Sequence, residues 1–233
     1  MPLEVERRDV VVAGLTLGAV VSVFGLAFGV GAVSAGGSVV QTCVMSLLVF
    51  TGASQFSAVS VVASGGTTGA ALGGAMLLAA RNGVYGLTVS RIIGGPLARR
   101  LVAAHLIIDE STAMATAQRD PHAQRVAFWV TGVSVYVFWN LGTLIGALAG
   151  SAINPQTYGL DAAFPAGFVA MVAPQLRERT GLIAGVLGAA ICLVLIPFTP
   201  VGVPILCSAA AVLVGIPAQP MRVESVPGTA GVP

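Results

Sequence analysis

The chain has little charge, and what it has is unusual. Only 9% of its 233 residues are charged, whereas a soluble domain carries roughly a quarter. So few charges cannot keep a soluble surface of this size wetted, which excludes a soluble domain. Lysine is absent, so all eleven basic residues are arginine, and the net charge of +2 is too small to favour nucleic-acid binding.

The motifs of the common catalytic centres are also missing. There is no HExxH, no GxSxG and no GxxxxGK phosphate-binding loop. Without lysine there is no Schiff base, and without a phosphate loop this chain alone is not an ATP-driven pump. Cys43, Cys192 and Cys207 have no CxxC or CxxH spacing, and each lies inside or beside an apolar run. We interpret them as small core residues rather than as a disulfide or metal set. We therefore predict no enzymatic activity, no cofactor and no metal site.

Apolar residues are abundant, with 56% hydrophobic residues and a mean hydropathy of +0.93. Several runs exceed the roughly 18–20 residues that a helix needs to cross hydrocarbon. They do not alternate with polar residues as barrel strands do. The sequence therefore predicts an all-α fold, a polytopic transmembrane helical bundle. Its apolar segments are 10–33, 39–64, 69–89, 101–117, 126–150, 162–172, 182–196 and 201–216.

The connections between these segments are short, so residues 10–216 are predicted to form one transmembrane domain. A mixed-charge lead, 1–9, precedes it. The first apolar run is longer than that of a signal peptide, which favours an uncleaved span. The tail, 217–233, is rich in proline, glycine and small residues and is predicted to be disordered.

The arginines bear on topology through the positive-inside rule. Arg7 and Arg8 place the N-terminus in the cytoplasm. If all eight segments cross, the loop with three arginines at 91–100 lies outside and breaks the rule. If 39–64 and 101–117 instead enter and leave on one face, every loop arginine is cytoplasmic. We therefore expect six to eight spans, with one or two broken or re-entrant helices.

Polar residues interrupt segment 39–64 at TGASQF. Gly52 gives the backbone freedom, and a helix beginning near Ser54 would aim its N–H groups at an anionic group. Gln55 would add a polar side chain there. The alternative is a continuous helix whose Ser and Gln bond neighbouring helices.

Further polar residues lie in other apolar segments. Arg81, beside Asn82, either binds a substrate carboxylate or pairs with an acid elsewhere in the bundle. Trp139 and Asn140 lie mid-segment, as a pocket wall or as core packing.

One short acidic stretch follows a histidine at helical spacing. His105 and Asp109 are four residues apart, on one helix face, and Glu110 follows directly. Such a set can relay protons inside a membrane. The alternative is that the acidic stretch caps a helix at its positive end.

The sequence resembles the AzlC-type large subunit of branched-chain amino acid exporters. The resemblance rests on blocks in matching order and spacing: FGLAFGVGAVSAGG (24–37), SLLVFTGASQFSAVSVVASGG (46–66), RNGVYG (81–86), DES (109–111) and LDAAFPAGFVAMVAP (160–174). It implies an inner-membrane exporter of leucine, isoleucine, valine and, in some members, methionine. It also implies a small four-span partner of the AzlD type. The family typically has Arg-His where this chain has Arg81-Asn82.

We therefore expect a subunit of a proton-coupled secondary transporter, multi-pass in the inner membrane, that exports branched-chain amino acids. The alternatives are a non-transporting membrane module, a passive channel for another small solute, and an intramembrane enzyme using the two acids. The residues predicted to bind substrate are Gly52, Ser54, Gln55, Arg81, Asn82, Trp139 and Asn140, and those predicted to couple transport are His105, Asp109 and Glu110.

Overall fold

The structure, a computed structural model, describes residues 2–152 and 175–211 together with positions 166, 169, 172 and 173. The regular secondary structure of these residues is helical throughout, as the composition predicted. The predicted tail, 217–233, and most of segment 162–172 lie outside the described residues.

The helices fall into long rods and short pairs. Two of them, α1 and α7, are long and apolar enough to cross a bilayer, over Arg8–Ser34 and Pro121–Ala152; the count of six to eight crossings stays a prediction. The helices are α1 (Pro2–Ser34), α2 (Val39–Leu48), α3 (Ala53–Ala63), α4 (Thr68–Ile92), α5 (Leu97–His105), α6 (Asp109–Thr116), α7 (Pro121–Ala152), α8 (Arg179–Leu195) and α9 (Val203–Ser208), with a short 3-10 turn at Gln175–Arg177 before α8.

Helices α1 and α7 run parallel with their backbones in contact. Glycines make this possible: a β-carbon on Gly25 would lie 2.5 Å from the carbonyl oxygen of Trp139, and one on Gly146 would meet the backbone of Leu26. Such close approach provides dispersion contacts where lipid gives no hydrophobic drive for association. The two helices therefore begin at the same end of the bundle.

Helices α2 and α3 form an antiparallel hairpin. The first residues of α2 share a cavity with the last turn of α3, since Gln41 and Thr42 line it opposite Ala58 and Val62. Between the two helices the chain turns at residues 49–52. Segment 39–64 thus enters the bundle, breaks and leaves at the same end.

Helices α5 and α6 form a second hairpin, which enters the bundle from the opposite end. Helix α5 packs against the second half of α4, along a groove that both line. Helix α6 returns to the start of α7, where Gln124 Nε2 donates a hydrogen bond to the carbonyl of Gln118 at 3.0 Å. The chain turns between the two helices at residues 106–108.

The arginines of the 91–100 loop and of the first turns of α7 lie at one end of the described bundle, which we call the basic end. Arg125 Nε, in the first turns of α7, donates to the carbonyl of Ile92 at 3.2 Å. The guanidinium of Arg99 lies 5.7 Å from the centre of the Trp129 ring. The basic end therefore contains the 91–100 loop together with the start of α7. The loops at the other end, 35–38 and 64–67, carry no charge.

The glycine contact gives a stability prediction. Gly146→Ala should lower the free energy of unfolding in detergent by about 1–3 kcal/mol, the usual cost of overpacking, because the new methyl group meets backbone. The matched control is Gly83→Ala on α4, where the added methyl group finds open space and helix propensity improves by up to about 1 kcal/mol. Equal melting temperatures for the two variants would contradict the close packing.

The hairpins give a topology prediction. In a cysteine-free background, cysteines at Ser38 and Ser64 should be labelled from one side of the membrane, and cysteines at Gly94 and Arg119 from the other. All four positions are exposed, whereas neighbouring Ile93 is 3% exposed and unsuitable as a probe. Labelling of positions 38 and 64 from opposite sides would show that segment 39–64 crosses the membrane.

Candidate functional site

The tips of the two hairpins meet beside the middle of α4. His105 Nε2, at the end of α5, lies 2.9 Å from the carbonyl oxygen of Leu47. The Tyr136 hydroxyl on α7 donates to the same oxygen at 3.3 Å. Carbonyls in the last turn of a helix have no partner within the helix, so the break in segment 39–64 is what makes this oxygen available.

Arg81 joins the two tips. Its Nη2 atom lies 2.9 Å from Asp109 Oδ2 and 3.5 Å from the carbonyl oxygen of Thr51. Among the described residues this is the one salt bridge. The side chains of Arg81 and Asp109 are 34% and 40% exposed, so the pair is accessible to a small solute. Arg81 thus pairs with an acid of the bundle, and this acid is Asp109, one of the residues predicted to couple transport.

Asp109 occupies a favourable position. It is the first residue of α6, where the partial positive charge of the helix terminus stabilises a carboxylate. The Tyr85 hydroxyl, one turn along α4 from Arg81, faces it. Glu110 follows and lies close enough to interact electrostatically with both Arg81 and Asp109. Both acids stand in the first turn of α6, as the capping alternative predicted, and one of them also meets the arginine.

Gln55 holds the first break together. Its side-chain oxygen accepts a hydrogen bond from the Gly52 N–H at 3.2 Å, and its amide nitrogen donates to the Met45 carbonyl at 3.5 Å. The side chain is fully buried. Gly52 itself has φ +57°, a conformation that costs glycine little. Both residues therefore shape the break in this structure, whatever they also contribute to binding.

Several buried polar atoms at the first break and on α4 have no partner. The hydroxyls of Thr51, Ser54 and Ser57, the Asn82 Oδ1 atom and Arg81 Nε have no hydrogen-bond partner among the described residues, and seven further buried polar atoms elsewhere in the described bundle share this property. The great majority of buried polar groups in folded proteins are paired. The unpaired hydroxyls at the start of α3 are therefore suited to a polar solute or water.

Trp139 and Asn140 form no hydrogen bond with the hairpin tips in the part of the chain that the structure describes. Trp139 is buried, with its ring 6.3 Å from that of Phe28 and 6.2 Å from that of Phe56. Asn140 Nδ2 donates to the Tyr136 carbonyl, within its own helix, at 2.8 Å. Trp139 thus packs in the core, and its indole Nε1 atom, like Asn140 Oδ1, has no hydrogen-bond partner among the described residues.

The residues predicted to bind substrate or to couple transport did not include Thr51, Tyr85, Tyr136 or the Leu47 carbonyl. Tyr85 carried a signal in the sequence, since it is four residues after Arg81 and so on the same helix face. The carbonyls carried no signal, because they become available only where the helix breaks. No group of side chains suited to a metal ion occurs in the described part of the chain.

These features define a class, namely helical membrane proteins in which two broken helices enclose a polar centre. Residues 16–153 match the family model described as AzlC protein, and the chain belongs to this family, which is of the membrane-transport type. It is 24% identical to an uncharacterized membrane protein of Helicobacter pylori (strain ATCC 700392 / 26695), over 73% of this chain and 77% of that protein. It is 29% identical to the inner membrane protein YgaZ of Escherichia coli K12, over 67% of each. No solved structure matches.

The ion pair gives a prediction about coupling between two residues. Arg81→Gln or Asp109→Asn alone leaves one unpaired charge inside the bundle and should lower the free energy of unfolding in detergent. The double variant removes both charges. Its loss of unfolding free energy should therefore be smaller than the sum of the two single losses, by about 0.5–3 kcal/mol. Additive losses would show that the two side chains do not interact.

Proposed function

We propose that this protein is the large subunit of a secondary transporter that exports branched-chain amino acids in exchange for protons. The observation that carries the proposal is the meeting of two oppositely inserted hairpin tips at the Arg81–Asp109 pair. Broken helices that expose backbone groups inside a membrane are the recurrent way in which transporters bind small charged solutes. Membership of the AzlC family supports the same class of function.

An amino acid has the two charges that this site would recognise. Its carboxylate competes with Asp109 for the Arg81 guanidinium, assisted by the N–H groups in the first turn of α3. Its ammonium then binds Asp109 or Glu110. The unpaired hydroxyls of Thr51 and Ser54 belong to the first tip and the start of α3, and the unpaired side-chain oxygen of Asn82 belongs to the residue after Arg81. These atoms are available to bind the polar end of the substrate.

The aliphatic side chain would lie among apolar residues at the tips, such as Phe50 and Ile107. An apolar pocket distinguishes ligands that differ by one methylene by only about 1–3 kcal/mol. The proposal therefore includes leucine, isoleucine, valine and methionine as overlapping substrates.

Proton exchange requires that substrate and proton compete for one carboxylate. The substrate ammonium needs Asp109 or Glu110 ionised, and after the substrate has left, a proton taken up from the outer side neutralises that carboxylate, which would be costly in a membrane without a counter-charge. Release of the proton to the cytoplasm prepares the site for the next substrate. His105, hydrogen-bonded to Leu47 at the meeting of the tips, is placed to pass the proton on.

The orientation follows the positive-inside rule. In our proposal the basic end, and with it the N-terminus of α1, faces the cytoplasm. Substrate enters from there, and a small four-span AzlD-type subunit completes the transporter.

Efflux from proteoliposomes containing this protein and its small partner tests the function. Preloaded leucine, isoleucine, valine and methionine should leave at rates that depend on the pH gradient. Arg81→Ala and Asp109→Asn should each reduce efflux at least about tenfold, since each removes a charge that the exchange requires. Arg119→Gln, which removes an exposed charge at the basic end, is the matched control and should retain efflux.

The alternatives give different results. A passive channel would conduct without responding to the pH gradient. A structural module would show altered assembly in the two site variants but no flux in any. If none of the four amino acids moves while the complex is intact, the substrate class is wrong.

A further inference from the structure

A groove between α4 and α5 ends among the arginines of the basic end. Its volume is about 350 Å³. It runs from Ile93 and Leu97, near the loop between the two helices, to Gly86 and Ile107, close to the second hairpin tip. Apart from Ser90 and Arg100, every lining residue is apolar or glycine.

The groove opens on the outer surface of the bundle. Leu97 and Leu101, on its rim, are 69% and 62% exposed. In a protein whose surface here faces hydrocarbon, an apolar groove of this kind holds an apolar chain rather than water. Its length along α5 corresponds to about half of the hydrocarbon thickness, since nine helical residues rise about 14 Å.

The charge at its basic end has one sign. Arg100 lines the groove. Arg91 and Arg99 directly adjoin the lining residues Ser90 and Arg100 in the sequence. The side chain of Arg100 forms no ion pair or hydrogen bond with any residue in the described ranges. The sequence contains no acidic residue between Asp9 and Asp109, so α4, α5 and the loop between them hold no carboxylate. Asp120, which precedes α7, accepts a hydrogen bond from the Ala123 N–H and forms no ion pair with these arginines among the residues that the structure describes.

We propose that this groove binds one anionic phospholipid, with an acyl chain along α4 and α5 and the headgroup phosphate at Arg100. The combination of an apolar channel with an unneutralised basic rim matches both halves of such a lipid. The bound chain would lie against Ile107, which belongs to the second tip, so the lipid would brace α5 against α4. This proposal does not depend on the transported substrate.

Native mass spectrometry of delipidated full-length protein in detergent tests the site, with phosphatidylglycerol and phosphatidylcholine of identical acyl chains as probes. One phosphatidylglycerol should bind more tightly than the rest and more tightly than phosphatidylcholine. Arg100→Gln should weaken that first binding roughly fivefold, the contribution of one arginine near an anionic surface. Arg119→Gln makes the same charge change outside the groove and should leave it unchanged.

A second pair of variants tests the groove itself. Ala104→Trp fills it and should abolish the first binding, whereas Val102→Trp, on an exposed part of α5 outside the lining, should not. Equal effects of the two arginine variants, equal binding of the two lipids, or unchanged binding in Ala104→Trp would each overturn the proposal. So would a co-purified polypeptide that occupies the protein and is lost in Ala104→Trp, since the groove would then be a subunit contact.

Discussion

The contact of the Arg81 guanidinium with both hairpin tips is the interaction on which the centre of this protein depends. A broken helix inside a membrane leaves N–H and C=O groups that lipid cannot satisfy. Here the two breaks face each other, so each supplies partners for the other. Arg81 reaches Thr51 of one tip and Asp109 of the other, and His105 of the second tip meets Leu47 of the first. Removing the arginine would leave a carboxylate and a carbonyl without their shared donor.

The tips can meet only because the rods around them are fixed. Helices α1 and α7 lie in backbone contact through glycines, which leaves room for the hairpins on one side of the pair. Tyr136 of α7 contacts the first tip directly, and its ring also packs 5.0 Å from that of Phe50. The glycine contact thus sets the position of the wall against which both hairpins insert. A change in the α1–α7 packing would therefore be felt at the polar centre, although no glycine of that contact touches it.

Opposite insertion of the hairpins also explains the arginines. With each broken segment entering and leaving at one end, the 91–100 loop joins the start of α7 at the basic end. Had both segments crossed, three arginines would lie among the uncharged loops. The two breaks therefore determine at which end the loop arginines lie. The basic rim of the α4–α5 groove follows from the same arrangement.

The sequence by itself determined the helical class, the membrane environment and the position of both breaks. These follow from local properties: apolar runs without alternation, a glycine with polar neighbours in one run, and acids in another. It misplaced the start of α5, which begins at Leu97 and includes two arginines that the apolar pattern had left in the loop. It left Trp139 open between a pocket wall and core packing, and the structure packs its ring between Phe28 and Phe56. Only the tertiary structure decided which way each half-helix runs, that Arg81 takes Asp109 as its partner, and that Gln55 closes the break. Those outcomes depend on contacts between elements far apart in the chain, since Thr51 and Arg81 are separated by 30 positions and Leu47 and His105 by 58. No local pattern encodes which of several polar groups will meet.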